Sequence, residues 1–290
     1  MQLEDKIVVV TGGGNGLGRE SALLFAREGA RVVVGDIDGD RIAETIASAQ
    51  NEGLPISGQV CDVSREDDVA RLVQRAIDEH ERLDVMFNNA GIPVPGNGKI
   101  ALEEITDEQW QRQIGVNLSG VFYGIKHAAV AMKRDRRGGV ILNTSSASGH
   151  VAFPGWAIYA AAKAGVVGLT RGAAVDLGKY GIRVNVMTPL GGMSASFVKP
   201  AGTGHVGAYE EQGDWDPAAN AMPLKLPRPP GIADHARLAL FLISDGSAYI
   251  SGQAISLDGA QLARVGWQPA PVAEGFAGTP EPALENVTSA

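Results

Sequence analysis

The chain is poor in several features that would assign a class at once. It has one cysteine, Cys61, among 290 residues, so no internal disulfide can form, and no histidine stands beside it to make a reactive or metal-bound thiol. Neither His205 nor His235 has a partner at ligand spacing, so both read as surface histidines and no metal is expected. Basic residues are outnumbered, 25 Lys and Arg against 33 Asp and Glu, for a net charge of −8. Binding a phosphate backbone needs a basic surface that releases counterions, so nucleic acid is set aside. No apolar run reaches the length of a membrane span, and MQLEDKIVVV lacks the apolar core of a signal peptide. No membrane is expected, and the expected compartment is the reducing cytoplasm.

What remains fits a soluble globular protein: 44% hydrophobic, 20% charged, and 38 glycines for tight turns. A chain of this length can bury a full core in one large domain. Short β-branched runs alternate with helical patterns. Residues 7–10, 31–36, 59–63, 84–89, 139–146, 182–187 and 253–258 read as strands. Stretches such as SALLFAREGA, DDVARLVQRAIDEH and HARLALFLISD between them repeat apolar residues at helical spacing. Strict alternation predicts a doubly wound α/β fold, a single Rossmann-like parallel sheet with helices on both faces. Ligands of such sheets lie beyond the carboxyl ends of the strands, which is where motifs carry most information.

The first strand exits into VTGGGNGLGRE. Gly12, Gly16 and Gly18 allow a tight turn, close approach of backbone to a pyrophosphate, and a helix seated near the sheet, while the helix N-terminus offers unpaired N–H groups. A glycine-rich turn without function is the bland alternative, and a GxxxxGK[ST] loop is excluded because no lysine follows Gly18. The second strand ends in Asp36, eighteen residues past Gly18. A carboxylate there accepts from both hydroxyls of an adenosine ribose and repels a 2′-phosphate, and neither Asn15 nor Ile37 supplies a rescuing cation, so NAD is expected over NADP. The other reading is that Asp36 only opens the turn DIDGD, as Asp38 and Asp40 do. Further on, YAAAK places Tyr159 and Lys163 at i and i+4 of an alanine-rich helix, hence on one face. A free tyrosine is a poor base near neutral pH, and a nearby cation favours the phenolate, so Lys163 is expected to lower the pKa of Tyr159.

The pieces TGGGNGLG, Asp62-Val63, NNAG at 88–91, Asn117 in GVNLSG, Ser146 in NTSSASG, YAAAK and Pro189 after IRVNVMT stand in order at fitting spacings. Together they resemble the short-chain dehydrogenase/reductase family, over roughly residues 5–260. The resemblance implies a seven-stranded sheet, a nicotinamide cofactor, interconversion of alcohol and ketone, and a homo-oligomer, commonly a tetramer. By the same resemblance Tyr159 is the acid–base, Lys163 also holds the nicotinamide ribose, Ser146 holds the substrate oxygen, and Asn117 supports a water chain to Lys163. An asparagine that bends its own helix is the structural alternative for Asn117. Thr144, Ser145 and Ser148 compete with Ser146, and the thirteen residues to Tyr159 favour Ser146. Cofactor contacts are implied for Gly12, Asn15, Gly16, Leu17 and Gly18; for Asp36 and Ile37; for Asp62 and Val63 at the adenine; and for Asn89, Ala90 and Gly91 at its ribose. Beyond Pro189 the chain departs from the family, reading PLGGMSASF where PG and a threonine are usual. Gly192 as a backbone donor and Ser194 as the nearest hydroxyl are the candidates there.

A long segment around 191–231 is expected to form a substrate lid, in which Phe197, Val198, Tyr209, Trp215 and Met222 either wall a pocket or make the lid's own core. Ser148, Phe153, Trp156 and Met193, with Ile92 and Val94, are candidates to meet an apolar, aromatic or bulky secondary alcohol or its ketone. The domain is expected to end at 263, with 264–290 an extended tail in which Trp267 and Phe276 suggest docking. Two other functions stand beside the dehydrogenase: a silent NAD-binding regulator, and an epimerase or dehydratase of the wider family. The intact Ser146, Tyr159, Lys163 set speaks against the first and the short chain against the second.

Overall fold

The computed structural model describes residues 1–191, 223–226, 228 and 230–263. Seven strands, β1 (Ile7–Thr11), β2 (Arg31–Asp36), β3 (Ile56–Val60), β4 (Val85–Asn88), β5 (Gly139–Thr144), β6 (Ile182–Pro189) and β7 (Ala254–Leu257), form one sheet in the order β3-β2-β1-β4-β5-β6-β7. Every pairing is parallel. Successive strand residues face opposite sides. Val8, Val10, Val32 and Val34 accordingly enter one core with helices α1 (Gly16–Arg27), α2 (Gly39–Asn51) and α7 (Ile232–Ile243). Ile7, Val9 and Val33 enter the other, with α3 (Glu66–His80), α5 (Gly120–Asp135) and α6 (Ala157–Gly178). Burial on both faces is why the strands read as unbroken apolar runs rather than alternating ones.

The strand order reverses at β1, which lies between β2 and β4. A crevice opens at the carboxyl ends of these strands, where sheets of this kind take ligands. The expected doubly wound fold is thus present. Its third strand sits three residues earlier than expected: β3 is Ile56–Val60, and Cys61, Asp62 and Val63 lead out of the sheet, with Cys61 N–H donating to Asp36 O at 2.8 Å. The apolar run around Cys61 drew the expectation forward, although the polar ISGQV is the stretch that pairs with β2. His235, expected at the surface, is fully buried. It lies on the wide apolar face of α7 that packs against α1, with Nδ1 2.9 Å from Gly231 O.

A buried polar chain links sheet and helix. Asn88 Nδ2 donates to Asn143 Oδ1 at 2.9 Å, Asn143 Nδ2 donates to Thr170 Oγ1 at 2.9 Å, and Thr170 donates to Val166 O at 2.8 Å. Buried side-chain amides are costly unless paired, so this chain fixes the rotation of α6 against β4 and β5. That rotation turns Ile158, Tyr159, Ala162, Lys163, Val166 and Val167 inward. Among the described residues no helix is long and apolar enough to cross a membrane.

Candidate active site

The turn after β1 shows why it needs glycine. Gly12 has φ +68°, and a Cβ on Gly18 would overlap the carbonyl of Gly12. Asn15 caps α1, its side chain accepting from Gly16 N–H at 2.7 Å. The Leu17 side chain is in the core, 3% exposed, so only its backbone faces the crevice side. Thr11, at the strand exit and just before the glycines, has a role that the glycine motif alone does not assign. Its hydroxyl accepts from Asn89 N–H at 3.0 Å and Ala90 N–H at 3.1 Å, joining the ends of β1 and β4. A hydroxyl directly before the glycines was the sequence signal for it.

Of the two expected readings of Asp36, the turn-opening one is seen in its hydrogen bonds. Its Oδ2 accepts from Gly14 N–H at 2.9 Å, tying the end of β2 to the glycine turn, and its Oδ1 accepts from Asp38 N–H at 3.1 Å, opening the turn into α2. Asp38 caps α2. Ile37 stands beside it, 69% exposed. Asp62 Oδ1 accepts from Ser64 N–H and hydroxyl at 2.9 and 2.7 Å, and its own N–H donates to Asp68. Val63 is buried against Gly120. Asn89 Nδ2 donates to Thr11 O at 3.1 Å, while its Oδ1 is buried with no hydrogen-bond partner among the described residues. Gly91 follows Ala90 out of β4. Cys61 is buried, and burial pushes its thiol up to about 12, the state of an inert filler.

The proton-bearing groups gather at the ends of β5 and α6. Tyr159 is 4% exposed and Lys163 2%. The Lys163 ammonium donates to Thr144 O at 3.0 Å and lies 5.7 Å from the centre of the Tyr159 ring, so the two groups share one side of their helix. Ser145 Oγ donates to Lys163 O at 2.7 Å and anchors the helix at that turn. Ser146, extended at the exit of β5, lies near enough to Tyr159 to draw its pKa down and accepts from Ser148 N–H at 3.2 Å.

The lowered pKa expected for Tyr159 is not the one found. Burial pushes the phenol up to about 12, and Ser146 opposes this only in part. Burial also drives Lys163 down, to about 8. Removing a charged form from water outweighs the neighbouring cation at this separation.

Asn117 lies in a π-helical turn, Gly115–Ser119, between α4 (Asp107–Ile114) and α5. Its side chain reaches away from its own helix, accepting from Ile92 N–H at 3.1 Å and donating to Ile92 O at 3.0 Å. The π turn widens the helix where the expected water chain would pass, and such turns recur at functional sites.

On the substrate side Val94 is buried and Ser148 is 3% exposed, its Oγ having no hydrogen-bond partner among the described residues. Phe153 and Trp156 are half-buried with ring centres 5.8 Å apart, and Trp156 meets Tyr159 edge-on at 5.5 Å. Pro189 ends β6 beside Leu257. Gly192, Met193, Ser194, His205, Trp267, Phe276 and the five apolar lid candidates lie outside the described residues.

Known proteins share this arrangement over most of the chain. The family model described as short chain dehydrogenase matches residues 6–203. Momilactone A synthase of Oryza sativa subsp. japonica is 40% identical over 259 residues, 89% of this chain and 90% of that protein. Secoisolariciresinol dehydrogenase of Forsythia intermedia is 36% identical over 261 residues, 89% of each. Among solved structures, levodione reductase superposes with a TM-score of 0.80 at 31% identity, covering 91% of this chain and all of that one. Carveol dehydrogenase from Mycobacterium avium in complex with NAD gives 0.79 at 30%, covering 91% and 99%. A parallel sheet of this order, a glycine turn after β1, and a serine, tyrosine and lysine converging at β5 and α6 thus come with matches across nearly the whole fold, and the chain belongs to the short-chain dehydrogenase family of oxidoreductases.

Proposed function

We propose that the protein uses NAD to interconvert a secondary alcohol and its ketone, with an apolar, aromatic or bulky substrate. The observation that carries this reading is the buried Tyr159 phenol beside Ser146, on the same helix face as a Lys163 ammonium held by the Thr144 carbonyl. The residues present fit a dinucleotide. The Gly12–Gly18 contact seats the N-terminus of α1 tightly on the turn after β1, Asp36 offers a carboxylate at the end of β2, and Asn89 Oδ1 is an orphaned buried acceptor. NAD is bound by the M. avium carveol dehydrogenase, which supports the choice.

Gly12, Asn15, Gly16, Leu17 and Gly18 would meet the pyrophosphate with backbone N–H groups. Asp36 and Ile37 would hold the adenosine ribose, Asp62 and Val63 the adenine, and Asn89, Ala90 and Gly91 the adjoining ribose. Pro189, Gly192 and Ser194 would flank the nicotinamide. The nicotinamide supplies the hydride acceptor or donor when bound. Ser146 donates to the substrate oxygen and stabilises charge that develops there. Tyr159 takes the hydroxyl proton in oxidation and returns it in reduction. Lys163 orients the ribose and, with the positive charge of oxidised cofactor, brings the phenol down from its buried value. Asn117 holds the Ile92 backbone and keeps the π turn open for water that resupplies Lys163. Phe153, Trp156, Ser148 and Met193 wall the substrate. A homo-oligomer, tetramer favoured, belongs to the same reading, supported by Phe122, Val130 and Val175, which are 45, 64 and 82% exposed on α5 and α6. The single buried cysteine suits a reducing, cytoplasmic setting.

Turnover of NAD with a panel of secondary alcohols tests the function. NAD reduction by bulky apolar alcohols is expected, with NADP a poor substitute. Binding of NAD without turnover of any alcohol or ketone would point instead to a regulator. The Asp36→Ala variant is expected to lose about tenfold in NAD affinity, the worth of a charged hydrogen bond, and to narrow the preference over NADP. An unchanged cofactor ratio would remove Asp36 from the site.

A further inference from the structure

We propose that Trp156 is a positioning residue, a strut that transmits the place of the loop after β4 to the ring of Tyr159. The proposal rests on the reading of Tyr159 as the proton-transferring group. It begins in two local sequences. The first is FPGW, where Pro154 and Gly155 occupy the corners of a β-turn closed by Trp156 N–H donating to Phe153 O at 3.1 Å. Gly155 has φ +76°, the conformation that the third position of a proline–glycine turn demands. The turn ends at Trp156, which precedes the first residue of α6 and lies three residues before Tyr159. At that spacing the two rings share a helix face.

The second local sequence is PGNG, residues 95–98, in the loop after β4. Gly96, Asn97 and Gly98 take φ of +57°, +52° and +76° in succession. Three left-handed residues in a row coil the loop tightly and drive Gly98 against the indole. A Cβ on Gly98 would lie 2.7 Å from Trp156 Nε1 and 2.8 Å from its Cδ1. A Cβ on Gly155 would overlap the carbonyl of Gly98. The two glycines therefore press the backbones of loop and turn together, and neither position accepts a side chain as built.

The indole is thus bounded on both sides. Its pyrrole edge rests on Gly98, Phe153 tilts against it, and Tyr159 meets it at 5.5 Å with the ring planes 86° apart. Ser146 lies beside the hydroxyl of Tyr159, and Trp156 holds the ring behind it. A shift of the loop at Gly98 displaces the indole, and the displaced indole turns the phenol away from the reacting oxygen. Misplacement of a reacting group by about 1 Å costs on the order of 100-fold in rate.

Steady-state kinetics of the full chain with NAD and a secondary alcohol it turns over test this, using Gly98→Ala, Trp156→Phe, Trp156→Leu and the double variant Gly98→Ala/Trp156→Leu. Gly98→Ala is expected to lower kcat on the order of 100-fold with the KM for NAD within about twofold of the parent. Trp156→Phe keeps an aromatic edge toward Tyr159 and should lose less than about threefold, whereas Trp156→Leu, which fills space without that edge, should lose about tenfold or more. Leucine lacks the flat ring edge that the new methyl strikes, so the double variant should recover about tenfold over Gly98→Ala, a coupling that separates the contact from backbone strain at Gly98. An unchanged kcat in Trp156→Leu, or no recovery in the double variant, overturns the proposal. If Tyr159→Phe itself retains turnover, the underlying reading of the site has failed. If Tyr159→Phe is silent while the Trp156 variants match the parent, only the strut has failed.

Discussion

Tyr159→Phe is expected to lower kcat by about 1,000-fold or more, within the range of a lost general acid–base group, while NAD binding stays within about twofold. The phenyl ring keeps the packing of a side chain that is 4% exposed and its edge contact with Trp156. The hydroxyl is lost, and with it the influence of Ser146, whose Oγ still accepts from Ser148 N–H. Equilibrium NAD binding and the rate of NAD reduction, measured on the same preparation, separate the two effects. Turnover above about a tenth of the parent rate would contradict the assignment, since acid–base catalysis of this kind contributes at least ~100-fold.

The second large effect is on stability, and it is opposite in sign to the effect on activity. Lys163 is 2% exposed, and burial lowers its pKa from 10.5 to about 8. The folded chain therefore holds this proton less tightly than the unfolded one. The cost is fully present below pH 8, shrinks as pH rises to about 10.5, and amounts to roughly 3 kcal/mol at neutral pH. Lys163→Met removes that cost and forfeits the hydrogen bond to Thr144 O, worth roughly 1 kcal/mol. The net gain, about 2 kcal/mol, corresponds to a rise in Tm of about 4 °C or more at pH 7 that disappears above about pH 10.5, with turnover lost. Tyr159 acts in a separate window. Its folded pKa of about 12 lies above the ordinary 10, so its contribution is complete below pH 10 and is lost as pH climbs through 12. A Lys163→Met variant less stable than the parent at pH 7 would show that the ammonium is better solvated than its burial implies.

Much of the fold was legible because its signals are local. β1, β2 and the glycine turn each declare themselves within a few residues, and the four-residue spacing of Tyr159 and Lys163 puts both on the buried face of α6. Less legible were features set by partners distant in sequence. The start of β3 is fixed by pairing Ile56 with Val32, not by the apolar residues near Cys61. His235 is buried because α7 packs on α1, and nothing within its own helix says so. The chain from Asn88 through Asn143 to Thr170 spans 82 residues and sets the helix that carries the site. The acidity of Tyr159 is likewise set by the whole fold. Helical spacing brings Lys163 near, but burial in the folded chain outweighs it.

That balance leaves the chemistry dependent on what enters the crevice. Burial makes the phenol a weak acid beside a lysine whose own pKa is lowered. In the proposed mechanism, positive charge from an oxidised cofactor, added to the Lys163 ammonium, would make the phenolate accessible near neutral pH. The most direct measurement is the titration of Tyr159 by phenolate ultraviolet absorbance, with and without NAD, taking Tyr159→Phe as the blank. A pKa that falls from about 12 by several units when NAD binds, and that stays high with NAD in Lys163→Met, is the expected result; a titration of Tyr159 that NAD leaves in place would contradict it.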